Sequence, residues 1–204
     1  MYIFRNQAIE PLDRLHDFVD EFDFGIIFTE SLEATHLPFF IKRHEGELGT
    51  LYAHISKANP QSRALDGKPV LITFSGPHAY VSPSWLQTRP MVPTWNYAIV
   101  HAKGTAEFLD NAGTLAAIEG LIEKQEPALL EERDIVTDEF VGSVIDYIVG
   151  IRIKIADIQG SLKLGQSDPV PDQLGVVQGL SAQDRADANQ LLDYMQRINV
   201  GMGR

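Results

Sequence analysis

The 204-residue chain contains no cysteine, which excludes disulfide bonds, thiol nucleophiles and thiolate metal sites. It also lacks any apolar run near the roughly 18 residues that a membrane-spanning helix needs. Basic residues are scarce, because 17 lysines and arginines face 28 acids and give a net charge of −11. An acidic chain without a basic cluster is repelled by phosphate backbones, so direct DNA binding is not expected.

The first residues hold no apolar segment of signal-peptide length, and together with the lack of cysteine this favours a cytoplasmic protein without membrane contact. Apolar residues make up 44% of the chain and charged residues 22%, which is typical of a globular domain and not of a disordered one. The length favours a single domain with a sizeable core.

The usual catalytic and nucleotide-binding motifs are missing as well. The chain has no G-x-G-x-x-G, G-x-x-x-x-G-K-[ST], H-E-x-x-H or G-x-S-x-G motif. No pair of its six histidines has zinc-ligand spacing, so no metal site is expected. His36, His54 and His78 each lie near a predicted strand end. One such histidine commonly just bonds to a loop, but three together favour a shared polar site.

Apolar and β-branched residues recur in short runs that predict six or seven β-strands. Gly76-Pro77 is a turn signal that separates two of them, and the first three are expected to pair as an antiparallel meander. The predicted strands cover residues 25–30, 34–42, 46–55, 69–74, 78–82, 94–109 and 151–164. The first half lacks regular strand–helix alternation, so the pattern favours a small antiparallel barrel in an α+β fold.

Helical periodicity predicts helices around this barrel. Pro11 suits the first turn of the first helix, and Gly25 is expected to end it. Ser181 and Asp184 have the spacing of a capping box at the start of the last helix. The predicted helices cover residues 9–25, 111–130, 137–150 and 181–198, with shorter helical segments within 56–68 and 174–180.

Asn59-Pro60 predicts a tight turn after the third strand. If a helix starts there, its free N–H groups form an anion site, and Lys57 and Arg63 are close enough in sequence to add positive charge. The same residues are explained equally well if Asn59-Pro60 only ends the strand and starts a turn, with no ligand bound there.

Residues 76–97, GPHAYVSPSWLQTRPMVPTWNY, are unusually aromatic because they hold both tryptophans of the chain and two of its six tyrosines. Aromatic rings can wall a planar ligand while interleaved hydroxyl groups orient its polar edge. A proline-rich crossover, with tryptophans packed in the core or at a subunit interface, has the same composition.

Five stretches, ATHLPF, HISKANPQ, GPHAYVSPSW, VPTWNYAIVHAKGTAEFL and a K-L-x-Q motif, occur in an order that resembles the PaiB family of FMN-binding negative transcriptional regulators. The resemblance covers roughly residues 1–166. It implies an FMN-binding split barrel related to pyridoxamine-phosphate oxidase and flavin reductases, with six to seven antiparallel strands and peripheral helices. It also implies a homodimer with flavin at the subunit interface. Residues 167–204 are expected to form a loop and helical extension packed on the same domain.

The resemblance also implies which residues contact FMN. The phosphate end is assigned to His54, Lys57 and Arg63. The remaining flavin-side positions are Thr35, His36, Asn59, Ser82, Trp85, Thr94, Trp95, Asn96, Tyr97, Lys163 and Gln166.

The chain departs from the family pattern near this site. The family commonly has Trp where this chain has Ser62, Tyr where it has Leu86, and KLSQN where it has KLGQS, beginning at Lys163. Two aromatic and two polar side chains are therefore replaced.

Several functions fit the sequence. The first is a flavin-binding dimer with a regulatory role as a negative transcriptional regulator. The second is a flavin-dependent oxidoreductase or flavin reductase acting on a small substrate; since the flavin carries the chemistry, no acid–base pair is required and turnover is left open. A directly DNA-binding repressor, haem binding and an empty barrel that keeps the dimer are the lesser alternatives.

Overall fold

The computed structural model describes residues 1–132 and 134–203. These form two compact units. Unit 1 consists of residues 1–10, 75–99 and the chain from residue 159 onward, and unit 2 consists of residues 11–74 and 100–158. The predicted division at residue 166 stays a prediction.

Seven strands form one sheet within the described residues, in the order β2-β1-β5-β6-β7-β4-β3. The bounds are β1 Phe24–Phe28, β2 Ala34–Pro38, β3 Phe40–Lys42, β4 Thr50–Ser56, β5 Lys68–Val81, β6 Thr94–Phe108 and β7 Ile148–Lys163. The ladders between β1 and β2, β1 and β5, β3 and β4, and β4 and β7 are antiparallel.

The predicted strand at residues 34–42 is two strands. Both antiparallel pairings of the predicted meander are present, but they are made by different parts of that strand. β1 pairs with β2 through Phe28 and Ala34, whereas β3 pairs only with β4, at the opposite edge of the sheet. Phe39 alone separates β2 from β3. It is fully buried, its ring is 5.5 Å from that of Phe74, and its N–H bonds to Asp23 O.

A single residue spans at most about 3.6 Å, so the two edges of the sheet must come together at Phe39. This requires the sheet to curl, as a barrel does. The predicted α+β class with an antiparallel six- to seven-stranded split barrel is therefore confirmed.

β5 is continuous, so the predicted turn at Gly76-Pro77 is wrong. Val70 and Phe74 are buried at even positions, and Ala79 and Val81 are buried at odd ones. The buried face therefore switches by one residue around Gly76-Pro77, as an extra residue in a strand produces. Proline is tolerated at such an irregularity because it lacks the N–H that a regular ladder needs.

Five α-helices lie within the described residues. They are α1 Leu12–Glu21, α2 Asn111–Gln125, α3 Asp138–Ile145, α4 Val170–Ser181 and α5 Ala186–Ile198. Short 3-10 turns occur at Arg5–Gln7, Pro60–Ala64, Pro83–Trp85 and Pro127–Leu130. α3 is shorter than predicted, because residues 148–150 begin β7.

The predicted end of α1 and the predicted start of α5 are also wrong. α1 ends at Glu21, and Gly25 lies inside β1, where a Cβ would come within 2.8 Å of the Phe74 ring. Gly25 is therefore required by packing. Ser181 does not cap α5 but ends α4, where its hydroxyl donates to Gln178 O.

Candidate functional site

The predicted flavin residues are divided between the two units, and each set is described by itself. Unit 1 contains Ser82, Trp85, Thr94, Trp95, Asn96, Tyr97, Lys163 and Gln166. Unit 2 contains Thr35, His36, His54, Lys57, Asn59 and Arg63.

Lys163, at the end of β7, lies at the centre of the unit 1 set. Its Nζ donates hydrogen bonds to Thr94 Oγ1 at 2.5 Å and to Trp95 O at 2.9 Å. It also lies 5.8 Å from the centre of the Tyr97 ring, in cation–π range. An ammonium group has three N–H donors, so two are used here and the third can serve a ligand.

Four aromatic side chains of β5 and β6 lie on the sheet beside this lysine. We call His78, Tyr80, Trp95 and Tyr97 the aromatic face. The Trp95 ring is 6.1 Å from His78 and 6.4 Å from Tyr80, and Trp95 and Tyr80 are 48% and 41% exposed. Large rings exposed to this degree can stack on a planar molecule.

His78 and Tyr80 were not in the predicted flavin set. The signal that could have found them is the spacing of two residues on each strand, which puts His78 and Tyr80 on one face of β5, and Trp95 and Tyr97 on one face of β6.

Asn96 points to the opposite side of β6 and is only 4% exposed. Its Nδ2 is buried and has no hydrogen-bond partner among the described residues. A Cβ at Gly165, whose φ is +73°, would lie 3.9 Å from that nitrogen. A buried amide donor normally has an acceptor. Asn96 Nδ2 is therefore a donor in unit 1 that a bound ligand could satisfy.

Gln166 shapes the turn after Lys163. Its Oε1 accepts from Leu164 N at 2.9 Å, and its Nε2 donates to Leu162 O at 2.6 Å and to Asn6 O at 3.0 Å. All these partners are backbone atoms. Gln166 therefore fixes the backbone on both sides of Lys163.

Ser82 and Trp85 also have structural roles. Ser82 Oγ accepts from Ser84 N at 3.2 Å and caps the turn at Pro83–Trp85. The Trp85 indole packs against α4, where a Cβ at Gly179 would clash with it and one at Gly175 would clash with its carbonyl. The two tryptophans thus differ, since only Trp95 presents a widely exposed ring.

In unit 2, Asn59 joins Thr35 to the turn at Pro60–Ala64. Its Nδ2 donates to Thr35 Oγ1, and its Oδ1 accepts from Gln61 N, both at 3.0 Å. Ser62 N donates to Asn59 O at 3.0 Å. The amides of Gln61 and Ser62 are therefore engaged, so these two N–H groups are not free to bind an anion.

Gln61 is a structural residue that the sequence did not reveal. It is 1% exposed, and its Nε2 donates to Ile27 O at 3.1 Å and to Glu33 O at 2.9 Å. Ser62, where the family commonly has Trp, is also buried, and its hydroxyl donates to Asn59 O at 2.8 Å.

The basic side chains of unit 2 differ in their availability. Lys57 Nζ donates to Ile145 O at 3.1 Å and to Asp146 O at 3.2 Å, where it satisfies carbonyls at the end of α3. Arg63 is exposed to solvent. Arg63 is therefore the better candidate to meet an anion.

The two predicted histidines of unit 2 also differ. His36 is exposed and stacks on Phe24 with ring centres 6.0 Å apart. His54 is partly buried, and its Nδ1 has no partner among the described residues. Burial lowers the pKa of His54, so the ring is neutral at pH 7.

In the described part of the chain, no group of three or more histidine, aspartate or glutamate residues is placed to hold a metal ion. No helix there combines the length and hydrophobicity needed to cross a membrane.

The structure is thus an antiparallel split barrel that presents exposed aromatic rings and a lysine on one part of its sheet. The family model described as "Putative FMN-binding domain" matches residues 1–157. The protease synthase and sporulation protein PAI 2 of Bacillus subtilis is 32% identical over 205 residues, which cover 96% of this chain and 97% of that protein. The chain belongs to this PaiB-type family of the FMN-binding domain.

Solved structures share the fold at low sequence identity. The flavocytochrome Anf3 of Azotobacter vinelandii matches with a TM-score of 0.60 and 18% identity, over 79% of this chain and 72% of its own. An FAD and heme binding protein of Mycobacterium smegmatis matches with a TM-score of 0.55 and 16% identity, over 77% and 73%. At these identities the similarity shows the fold alone.

Proposed function

We propose that this protein is a cytoplasmic, homodimeric FMN-binding regulator. Family membership supports FMN as the ligand, and the name of the Bacillus subtilis relative, with its reference to sporulation, supports a regulatory role. The observation that carries the proposal is the position of Lys163, whose Nζ lies in cation–π range of Tyr97 and bonds to the backbone of Trp95, two residues of the aromatic face.

The unit 1 residues fit the ring system of FMN. A flavin ring is planar and largely apolar, with hydrogen-bonding atoms along one edge. Trp95 and Tyr80 offer exposed ring surface to stack on it. Lys163 offers an N–H donor and a positive charge on the side of β6 that carries these rings. Asn96 Nδ2, a buried donor without a partner among the described residues, lies on the other side of β6 and is not part of this surface.

The unit 2 residues fit a phosphate less fully. Arg63 is exposed and can form the paired hydrogen bonds that phosphate accepts. Lys57 adds positive charge, although two of its donors are used by carbonyls. His54 adds no charge, because burial lowers its pKa. The assignment of His54 to the phosphate end is therefore the weakest of the three.

Bound FMN would supply reversible electron transfer, and the chain would supply orientation and electrostatics. Lys163 is held at two points, so its third donor has a fixed direction. Its positive charge would stabilise negative charge that develops on the flavin ring during reduction. The rings of the aromatic face would exclude water from the surface that they cover.

The test of the ligand is a titration of purified protein with FMN and with riboflavin, which lacks the phosphate, followed by flavin fluorescence. We expect FMN to bind more tightly than riboflavin, and Arg63→Ala to reduce that preference. Lys68→Ala is the control, because Lys68 is also an exposed basic residue of unit 2. No binding of either flavin would reject the proposed ligand.

The homodimer is supported by apolar surface on unit 1. Val92 is 74% exposed, and Met91, Tyr80 and Trp95 are each more than 40% exposed. Burial of such side chains against a second copy is favourable. Sedimentation velocity with and without FMN measures the assembly, and a monomer under both conditions would refute the dimer.

A flavin-dependent oxidoreductase is the second candidate. The exposure of Trp95 and Tyr80 favours it, because an open aromatic face can admit a small substrate. Oxidation of a reduced nicotinamide by protein with added FMN distinguishes the two, since a regulator predicts no turnover above that of free FMN. A gel shift at low salt tests direct DNA contact, which the net charge of −11 disfavours.

A further inference from the structure

We propose that the first turn of α4 positions the candidate flavin site through two adjacent polar residues, Asp172 and Gln173, which we name the α4 clamp. Both are buried, at 2% and 8% exposure. Buried polar side chains are retained where their hydrogen bonds hold other segments in place. The proposal rests on the proposed function, because it concerns the same lysine and aromatic face.

Asp172 holds the segment that leads into β6. Its Oδ1 accepts from Gln87 N at 2.6 Å and from Thr88 N at 3.0 Å. Hydrogen bonds from Thr88 lower the pKa of Asp172, so the acceptor is ionised at neutral pH and these bonds are charge-assisted. The segment is thus fixed six residues before Thr94.

Gln173 holds the segment that follows β7. Its Nε2 donates to Asp168 O at 2.8 Å, and its Oε1 accepts from Gly203 N at 2.9 Å. Gln166, whose carbonyl lies 3.4 Å from the same Nε2, fixes the backbone around Lys163. The second arm of the clamp therefore reaches the strand end that carries Lys163.

Asp172 and Gln173 act on the two residues of one hydrogen bond, that from Lys163 Nζ to Thr94 Oγ1. Thr94 follows the segment held by Asp172, and Lys163 precedes the turn held by Gln173. Neither clamp residue lies on the aromatic face, so both are positioning residues. The packing of Trp85 against Gly179 anchors the same segment to α4 independently. α4 also lies outside the 1–157 family match, so that match does not account for the role.

The test compares Asp172→Ala, Asp172→Asn and Gln173→Ala with the wild type and with Asp193→Ala. Asp193 is an exposed acid on α5 and serves as the control. Two quantities are measured: the FMN dissociation constant, and amide hydrogen exchange by NMR in protein without flavin. Thermal unfolding identifies any variant that does not fold.

We expect Asp172→Ala to raise the FMN dissociation constant about tenfold, and Asp172→Asn to raise it less because an acceptor oxygen remains. Gln173→Ala should also weaken binding. Without flavin, Asp172→Ala should speed exchange at Gln87 and Thr88 and also at residues 94–97. Asp193→Ala should change neither quantity.

Two results would overturn the clamp. One is faster exchange at Gln87 and Thr88 with residues 94–97 unchanged, since the bonds would then hold only their own segment. The other is unchanged exchange at all these amides. The exchange measurement tests the α4 clamp even if the wild type does not bind FMN. Failure of the clamp can therefore be told apart from failure of the proposed function. If Asp172→Ala does not fold, Gln173→Ala applies the same criterion at residues 163 and 164.

Discussion

Lys163 and Thr94 join the end of β7 to the start of β6, through a hydrogen bond of 2.5 Å from Nζ to Oγ1. The same ammonium group bonds to the Trp95 carbonyl, so it fixes the backbone that carries the half-exposed Trp95 ring of the aromatic face. One side chain therefore sets both a positive charge and an aromatic surface. This arrangement underlies the assignment of a flavin site to unit 1.

The two tryptophans should report on the site differently. Trp95 is half exposed, whereas Trp85 packs on α4. We therefore expect the emission of Trp85→Phe, which comes from Trp95, to be quenched strongly by acrylamide and by FMN. The emission of Trp95→Phe should be quenched weakly by both. Equal quenching in the two variants would contradict the distinction.

The glycines of α4 should not tolerate side chains. A Cβ at Gly179 would overlap the Trp85 ring, so Gly179→Ala should lower the free energy of unfolding by about 1–3 kcal/mol. Gly142 is the control, because it lies in α3, where an added Cβ would meet nothing within 4 Å. Gly142→Ala should stabilise by about 0.5–1 kcal/mol. Urea denaturation measures both, and a stabilising Gly179→Ala would refute the packing.

Replacement of Gln61 should test the buried hydrogen bonds of unit 2. Gln61→Leu keeps a similar volume but removes the donors to Ile27 O and Glu33 O. The cost should be about 1–3 kcal/mol, because buried carbonyls lose their partner. Gln196→Leu, at an exposed position of α5, should change the free energy of unfolding by less than about 0.5 kcal/mol. A neutral Gln61→Leu would show that these bonds contribute little.

His54 should make the protein less stable in mild acid. Burial lowers its pKa in the folded state, so the unfolded chain takes up a proton first as the pH falls below about 6.5. The free energy of unfolding should therefore decrease from about pH 7.5 to about pH 5.5. The decrease should be smaller in His54→Gln, and smaller still when His101, whose pKa burial also lowers, is replaced as well. An identical decrease in wild type and variants would contradict this account.

Local patterns predicted the strands and helices but not the connection at Phe39. Residues 34–42 are continuously suited to a strand, and only contacts with Asp23 and Phe74 reveal that the chain passes there from one sheet edge to the other. The Gly76-Pro77 signal was equally misleading, because a dipeptide that suits a turn also suits an irregular strand.

The sequence predicted which segment carries the aromatic side chains of the site, but not the environment of each side chain. The aromatic segment 76–97 does present rings, yet its two tryptophans differ, because Trp95 is half exposed and Trp85 packs against α4. No local pattern reveals that, because the glycines that receive Trp85 lie about 90 residues further along the chain. The same distance in sequence concealed Asp172 and its bonds to Gln87 and Thr88.

The most direct test of the central claim is an FMN titration of wild type, Lys163→Met and Lys154→Met, with the dissociation constant read from flavin fluorescence. Lys154 is the matched control, because it is an exposed lysine on the same strand. The account predicts saturable binding to wild type and to Lys154→Met, and binding about tenfold weaker to Lys163→Met. Equal affinity in all three proteins, or no binding to wild type, would contradict it.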